Sequence, residues 1–347
     1  MESKILKFSS LCLAIMIVVS AAFMYYTDTY GQERYKQQPG QQEEMSGLQM
    51  LEYYTEQAEE SDEVEFEQQL CIELPEGMGM EEVLIENDYV KQLITVEIPQ
   101  VGADYFVDHP LLGRSNHIND LYMADGRIEI TMDAVYEPQC MVEDGRLYMD
   151  FLRPQDIYDK VIAIDAGHGG GAPGAIKQGI MEKDINLAII RELKELLDKN
   201  DRNIGVYYTR TEDVNPTFEQ RAQLGGKAGA NLFISVHSNS TVDGLMSGYN
   251  GTEVMYDELK SEEGFSSRRL AQICLEEVTA SIGSKDNGVT YGNSIYIIRN
   301  SEVPVALIEV GFMTNQQELD NLTSPGYQRK AAQGIYNAIL RALEEGF

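Results

Sequence analysis

Basic residues are scarce in this chain of 347: 27 Lys and Arg stand against 57 Asp and Glu, giving a formal net charge of −30. A polyanion is repelled by such a surface, which excludes nucleic acid as a partner. Cysteine is equally sparse. Cys12, Cys71, Cys140 and Cys274 show no CxxC or other ligand spacing, and four in so long a chain do not make a disulfide scaffold. Cys71 and Cys140 are either a pair in an exported protein or two small buried thiols. No repeat of fixed period is evident, and 43% hydrophobic residues suffice for about two domains, so full-length disorder and a collagenous repeat are excluded.

The charge deficit is uneven. Residues 28–150 hold 29 acids and 6 bases, whereas residues 151–347 hold 27 and 19. Before both lies an uncharged run, Phe8 to Thr27, preceded by Lys4 and Lys7 and closed by Tyr25 and Tyr26. As a helix it would span roughly 30 Å, the thickness of a bilayer's hydrocarbon. Bases before the run and acids after it place the N-terminus in the cytoplasm and the remainder on the extracytoplasmic side of the cell membrane. The rival is a signal peptide cleaved after Ala22, which would release the protein to the cell wall. Residues 28–69, rich in Gln and Glu, are expected as an acidic spacer, solvated and at most partly helical.

Residues 70–154 contain short β-like runs, Leu70 to Leu74, Val90 to Ile98, Arg127 to Met132 and Arg146 to Leu152, as expected of a small β-sandwich. His109 and His117 fall here on loop-like sequence without a second ligand at metal spacing and read as surface histidines. Residues 155–347 alternate strand-like segments (161–165, 205–209, 232–236, 252–256, 295–298 and 305–309) with helical ones (184–200, 217–226, 266–282 and 327–343), with Asp184 as cap of the first helix. The fold class expected is α/β: a sheet flanked by helices, preceded by a small all-β domain and an N-terminal transmembrane helix.

In such sheets ligands bind beyond the carboxyl ends of the strands. The first strand runs into Asp165-Ala166-Gly167-His168-Gly169-Gly170-Gly171, the third into His237-Ser238-Asn239, and the last ends on Glu309; Glu182 stands just before a helix. Two histidines and a carboxylate converging from separate loops are a three-ligand set for a catalytic zinc, so His168, Glu182 and His237 are the candidate ligands. Glycines beside His168 allow close approach of the imidazole. A phosphate cradle at Gly169 to Gly174 lacks the Lys-Ser/Thr of a Walker loop. Glu309 closes a wholly apolar strand, where a carboxylate is costly without a partner and burial raises its pKa, so it is the candidate general base and then acid. The alternative is a structural ion pair with Arg210, Arg221 or Arg299. Asn239 and Asn315 either orient substrate or close loops.

VIAIDAGHGG, MEKDINLAI, TRTED, Arg221, ANLFISVHSNS, GTEVMY and VALIEVGFMTNQQELDNL, in this order over Lys160 to Leu343, resemble the zinc-dependent N-acetylmuramoyl-L-alanine amidases that cut peptidoglycan. The resemblance implies a mixed sheet flanked by helices, Zn2+ on His168, Glu182 and His237, Glu309 as the catalytic glutamate, and hydrolysis of the amide joining N-acetylmuramic acid to L-alanine. The region 70–154 resembles, more distantly, the AMIN-type domains that precede such amidases. Asp286-Asn287-Gly288-Val289 lacks the arginine common there, and the connection from Ser240 to Asn250 is too short for the inhibitory helix of some relatives. Two other readings remain at this point, a non-catalytic tether between membrane and peptidoglycan and a zinc peptidase of the stem peptide; a protein activator is unknown.

Overall fold

A computed structural model describes residues 45–60, 68–102, 104–257 and 266–347. The run Phe8 to Thr27 lies outside the described residues, among which no helix is long and apolar enough to cross a membrane.

The stretch expected as spacer is not wholly solvated. Residues Gly47–Glu60 form helix α1, and Leu51 and Thr55, one turn apart, are buried on the body that follows. Thr55 is held there, its Oγ1 accepting from Gly113 N at 2.9 Å, while Arg114 pairs with Glu59 at 2.6 Å. A sequence with few aliphatics docks because those few share one helical face.

Among the described residues that body has eight strands: β1 (Leu70–Glu73), β2 (Leu84–Asp88), β3 (Leu93–Glu97), β4 (Leu112–Gly113), β5 (Ile118–Ala124), β6 (Arg127–Met132), β7 (Glu137–Glu143) and β8 (Arg146–Leu152). They form two antiparallel sheets, ordered β4-β1-β8-β7 and β2-β3-β6-β5, whose inner faces share one core including Ile72, Ile94, Val96, Ile130 and Met149. Cys71 and Cys140 stand on β1 and β7, on opposite sides of β8, and are free. Two strand spacings of about 4.8 Å each put them beyond disulfide reach.

The second body is built on a six-stranded sheet. Its strands are β9 (Lys160–Ala166), β12 (Ile204–Tyr208), β13 (Leu232–Asn239), β14 (Thr252–Tyr256), β15 (Asp286–Tyr291) and β16 (Val305–Phe312); β10 (Ile176–Lys177) and β11 (Ile180–Met181) make a small separate hairpin. The order is β12-β9-β13-β16-β14-β15, parallel except where β14 runs against β16. One face is covered by α2 (Glu182–Asp198), α4 (Ser267–Ile282) and α7 (Pro325–Glu344), the other by α3 (Phe218–Ala228) and the short α5 (Tyr296–Asn300); α6 (Gln316–Leu322) follows β16. Burial on both sides explains the continuous apolar runs of β9, β13 and β16.

Two local expectations fail. Residues 296–298 are helical, in α5, with Ile295 at the cap position: Ile297 and Ile298 enter the core while Tyr296 stays out, and a run this short carries no decisive period. The strand of that region is the polar β15, which among the described residues pairs with β14 alone, at the sheet edge. Asp184 does not cap α2, which already begins at Glu182 with Met181 at the cap position.

The two bodies touch directly. Tyr207 Oη donates to Glu137 at 2.6 Å, Val135 N donates to Lys227 O at 2.9 Å, and the Tyr89 and Tyr207 rings meet edge to face at 5.1 Å.

Candidate functional site

The carboxyl ends of the neighbouring parallel strands β9, β13 and β16 converge at one edge of the sheet. His168 follows β9 by two residues, His237 lies in β13, and Glu309 in β16 is the direct register partner of His237, so both side chains leave the sheet on the same face. Glu182 reaches the same point from the first turn of α2.

Glu182 stands between the two imidazoles. Its Oε2 is 3.1 Å from His168 Nε2 and its Oε1 is 2.9 Å from His237 Nδ1. One donor atom from each of the three side chains lies within 4.8 Å of the others, which makes them a group able to hold a metal ion. Two ring nitrogens and a carboxylate on three separate elements match the donor chemistry of an open catalytic zinc site. Burial pushes the Glu182 carboxyl up, but hydrogen bonds from His168 and His237 outweigh it and hold the group well below the usual carboxylate range. Burial works equally against a charged His237, yet the facing carboxylates of Glu182 and Glu309 raise its pKa. A cluster whose anionic member is already ionised and turned toward both rings is prepared for a cation.

The remaining oxygen contacts of Glu182 come from residues the sequence did not single out. Ala175 N donates to Oε2 at 2.9 Å, Ser238 N to Oε1 at 3.2 Å, and Asn186 Nδ2 to Oε1 at 3.3 Å. Asn186 also donates to Gly167 O and accepts from Ser238 Oγ. A signal for it existed: in MEKDIN, Asn186 follows Glu182 by four residues and so shares its helical face.

Beneath His168 lies a dense polar network. The buried Arg221 bonds Asp165 at 2.6 Å, Ala166 O at 2.8 Å and His168 O at 2.6 Å. Arg210, also buried, donates to Ala166 O, Gly167 O and Lys183 O at 2.8–3.0 Å. Burial and the neighbouring Arg221 lower its pKa to about 10. Asp165 accepts in addition from Thr209 and Ser235, each at 2.6 Å. These bonds hold a backbone that carries His168 itself at φ +62°. Two glycines are required by space: a Cβ on Gly167 would meet the His237 ring at 2.3 Å, and one on Gly174 would meet Glu182 Oε2 at 2.5 Å.

Glu309 is the opposite case. Its Oε2 is buried with no hydrogen-bond partner. Burial above all, helped by the charges of Glu182 and Glu253 and opposed by His237, raises its pKa to about 7. The ion pair considered from sequence does not form: Arg210 and Arg221 are engaged below His168, and Arg299 donates to Asn293 O while lying against Tyr296.

Asn239 and Asn315 close loops. Asn239 Oδ1 accepts from Ser240 N, and Asn315 caps α6 by accepting from Glu318 N at 3.2 Å. Glu318, unnoticed in the sequence, fastens the end of β16 by accepting from Phe312 N at 2.6 Å and Gly251 N at 2.8 Å. His109 and His117 lie in the β-sandwich, the first against Glu73 and the second near Asp133. A cavity of about 500 Å³ opens from His168 and His237 between Asn215, Phe218, Ile295 and Tyr296.

Residues 162–341 match the family model described as N-acetylmuramoyl-L-alanine amidase. The uncharacterized protein YqiI of Bacillus subtilis (strain 168) is 37% identical over 185 residues, 53% of this chain and 85% of YqiI. The N-acetylmuramoyl-L-alanine amidase LytC of the same organism is 32% identical over 181 residues, 52% of this chain and only 35% of LytC. The crystal structure of an N-acetylmuramoyl-L-alanine amidase from Clostridium difficile 630 superposes with a TM-score of 0.50 at 30% identity, covering 54% of this chain and 98% of that one. With the match extending over half its length and over all four clustered side chains, the chain belongs to the N-acetylmuramoyl-L-alanine amidase family.

Proposed function

We propose that this chain hydrolyses the amide between N-acetylmuramic acid and L-alanine in peptidoglycan, using zinc held by His168, Glu182 and His237 and with Glu309 as the proton carrier. One observation carries the reading: a buried carboxylate with an unpartnered oxygen stands one strand from a three-donor cluster, in register with one of its histidines. A carboxyl with a pKa near 7 takes and returns protons readily at neutral pH.

Zinc, when bound, supplies Lewis acidity toward the carbonyl oxygen and makes water more acidic. The side chains do the rest. Arg221 and Arg210 fix the loop that aims His168, and Asn186 and Ser238 fix Glu182. Glu309 accepts the proton of the attacking water as its oxygen joins the carbonyl carbon. It then delivers that proton to the alanine nitrogen as the C–N bond breaks, leaving a lactyl carboxylic acid and a free amine, which become carboxylate and ammonium when the acid's proton passes to the amine.

Incubating the protein with purified sacculi, with zinc content measured on the same preparation, tests this. Free muramoyl glycan and new L-alanine N-termini are the expected products, with about one zinc per chain. Pelleting without cleavage would make the chain a tether, and cuts within the stem peptide would make it a peptidase. The charge pattern around Phe8 to Thr27 supports placement outside the cell membrane; full-length protein recovered in carbonate-washed membranes is the expected result. The β-sandwich resembles an AMIN-type wall-binding module, and deleting it would weaken sacculus binding on this reading.

A further inference from the structure

Two aromatic side chains at the mouth of the site remain unexplained by the mechanism. Phe218 is the first residue of α3 and Tyr296 the first of α5, and they are 69% and 39% exposed. Aromatic rings left open to water at the rim of a polar centre call for a reason. Their centroids are 6.1 Å apart and their planes are inclined by 34°, so the two rings are neighbours at the same rim. Both line the cavity that opens from His168 and His237, as does Asn215.

Resting on the amidase reading above, we propose that Phe218 and Tyr296 form a subsite for the pyranose ring of the muramoyl residue whose amide is cut. Direction decides which half of the substrate lies there. Glu309 returns its proton to the leaving nitrogen, so the peptide half lies beside Glu309. The acyl half must extend away from it, and the cavity between His168, His237 and the two rings does not have Glu309 among its walls. Its chemistry suits a sugar. The axial C–H bonds of a pyranose pack on aromatic faces, while Asn215 offers an amide to hydroxyl and acetamido groups at the same wall. The backbone from which both rings project is held: Ile297 and Ile298, which follow Tyr296 in α5, are buried, and Thr217 caps α3 directly before Phe218.

The test compares two substrates in the full-length zinc-loaded protein: an N-acetylmuramoyl peptide, and the same peptide acylated with O-methyl lactic acid, which keeps the amide and lacks the sugar. Wild-type protein should prefer the first. Phe218→Ala and Tyr296→Ala should each lower kcat/KM roughly five- to tenfold on the muramoyl substrate and leave the lactyl substrate within about twofold, with Phe218→Tyr restoring the preference. Equal losses on both substrates, or none on either, would overturn the subsite while leaving the amidase reading intact. Failure of the wild type to cut either amide would remove that reading, and the subsite with it. Both side chains are exposed, so an unchanged thermal transition in the variants is expected and separates a binding loss from misfolding.

Discussion

The two flanks of the site are built on opposite principles. On the β9 side, Asp165, Arg210 and Arg221 occupy their polar atoms with one another and with the carbonyls of residues 166–168, at distances of 2.6–3.0 Å. On the β16 side, a single strand beyond His237, Glu309 keeps an oxygen buried and unpaired. Buried polar groups in folded proteins are nearly always satisfied; on the proposed mechanism the bare oxygen of Glu309, which stands in register with His237, is left for a partner that arrives with the reaction. On the proposed mechanism the saturated flank holds geometry and the bare flank exchanges protons. Substitutions on the two sides should therefore fail in different ways.

The largest effect belongs to the bare flank. Glu309→Ala should lower kcat on sacculi or a muramoyl peptide by about 10²- to 10⁴-fold, with zinc retained at the wild-type stoichiometry. His168→Ala and His237→Ala should lose metal and turnover together. Metal analysis beside the kinetic assay checks both statements, and near-normal turnover in Glu309→Ala would end the division of labour.

The saturated flank should fail through stability. Arg221→Leu leaves Asp165 ionised, fully buried and without its cation, which costs about 3–5 kcal/mol when one member of a buried pair is removed. Denaturant unfolding of the metal-free chain measures it. The matching pH dependence has a definite sign. Burial raises the Asp165 pKa, but Arg221 and the surrounding donors outweigh it and lower the group overall. Its contribution is thus complete above the ordinary aspartate pKa of 3.8 and is lost as the pH falls through the depressed folded value.

How much of this was legible beforehand follows from the same contrast. The residues of the bare flank announce themselves: a glutamate closing Val305-Ala306-Leu307-Ile308 and a histidine closing LFISV break apolar strands, and strand ends were the place to look. His168, Glu182, His237 and Glu309 all come together in the structure. The strand spans 161–165 and 252–256 were nearly exact because alternation or continuous burial is written in each residue. The saturated flank was hidden, since an arginine bonded to three carbonyls has no linear signature. Arg210 and Arg221 stand in the sequence only as candidate partners of Glu309 and as members of the family motifs, with no role beneath His168 attached to them. Residues 295–298 deceived because three isoleucines within four positions satisfy strand and helix alike. The docked α1 was missed because its burial depends on a surface contributed by β4 and β5.

Removing the charge of Glu309 should stabilise the metal-free protein. Its folded pKa of about 7 lies above the ordinary 4.5, so the native state binds a proton that the unfolded state has released between those values. Stability accordingly falls as the pH rises from 4.5 through 7. Glu309→Gln escapes this loss: it should exceed wild type by about 1–3 kcal/mol at pH 8, with the two converging below pH 4.5. Thermal or urea unfolding at the two pH values, in chelator, reads the difference, and a pH-independent gap would place the carboxylate in a more solvated setting than its buried oxygen implies.

The smallest effect distinguishes a loop-closing residue from a substrate contact. Asn315 lies only three residues beyond the apolar end of β16 and is near enough in sequence to Glu309 to invite a catalytic role. Its side-chain oxygen is already committed to Glu318 N at the start of α6, and Glu318 in turn anchors Phe312 N and Gly251 N. Removing an N-cap costs about 1 kcal/mol. Asn315→Ala should therefore lower stability by that amount and leave KM on the muramoyl peptide within about twofold, whereas Asn315→Asp, which keeps the accepting oxygen, should restore the stability. A tenfold rise in KM without loss of stability would instead assign Asn315 to the substrate and extend the reactive flank beyond the strand that carries Glu309.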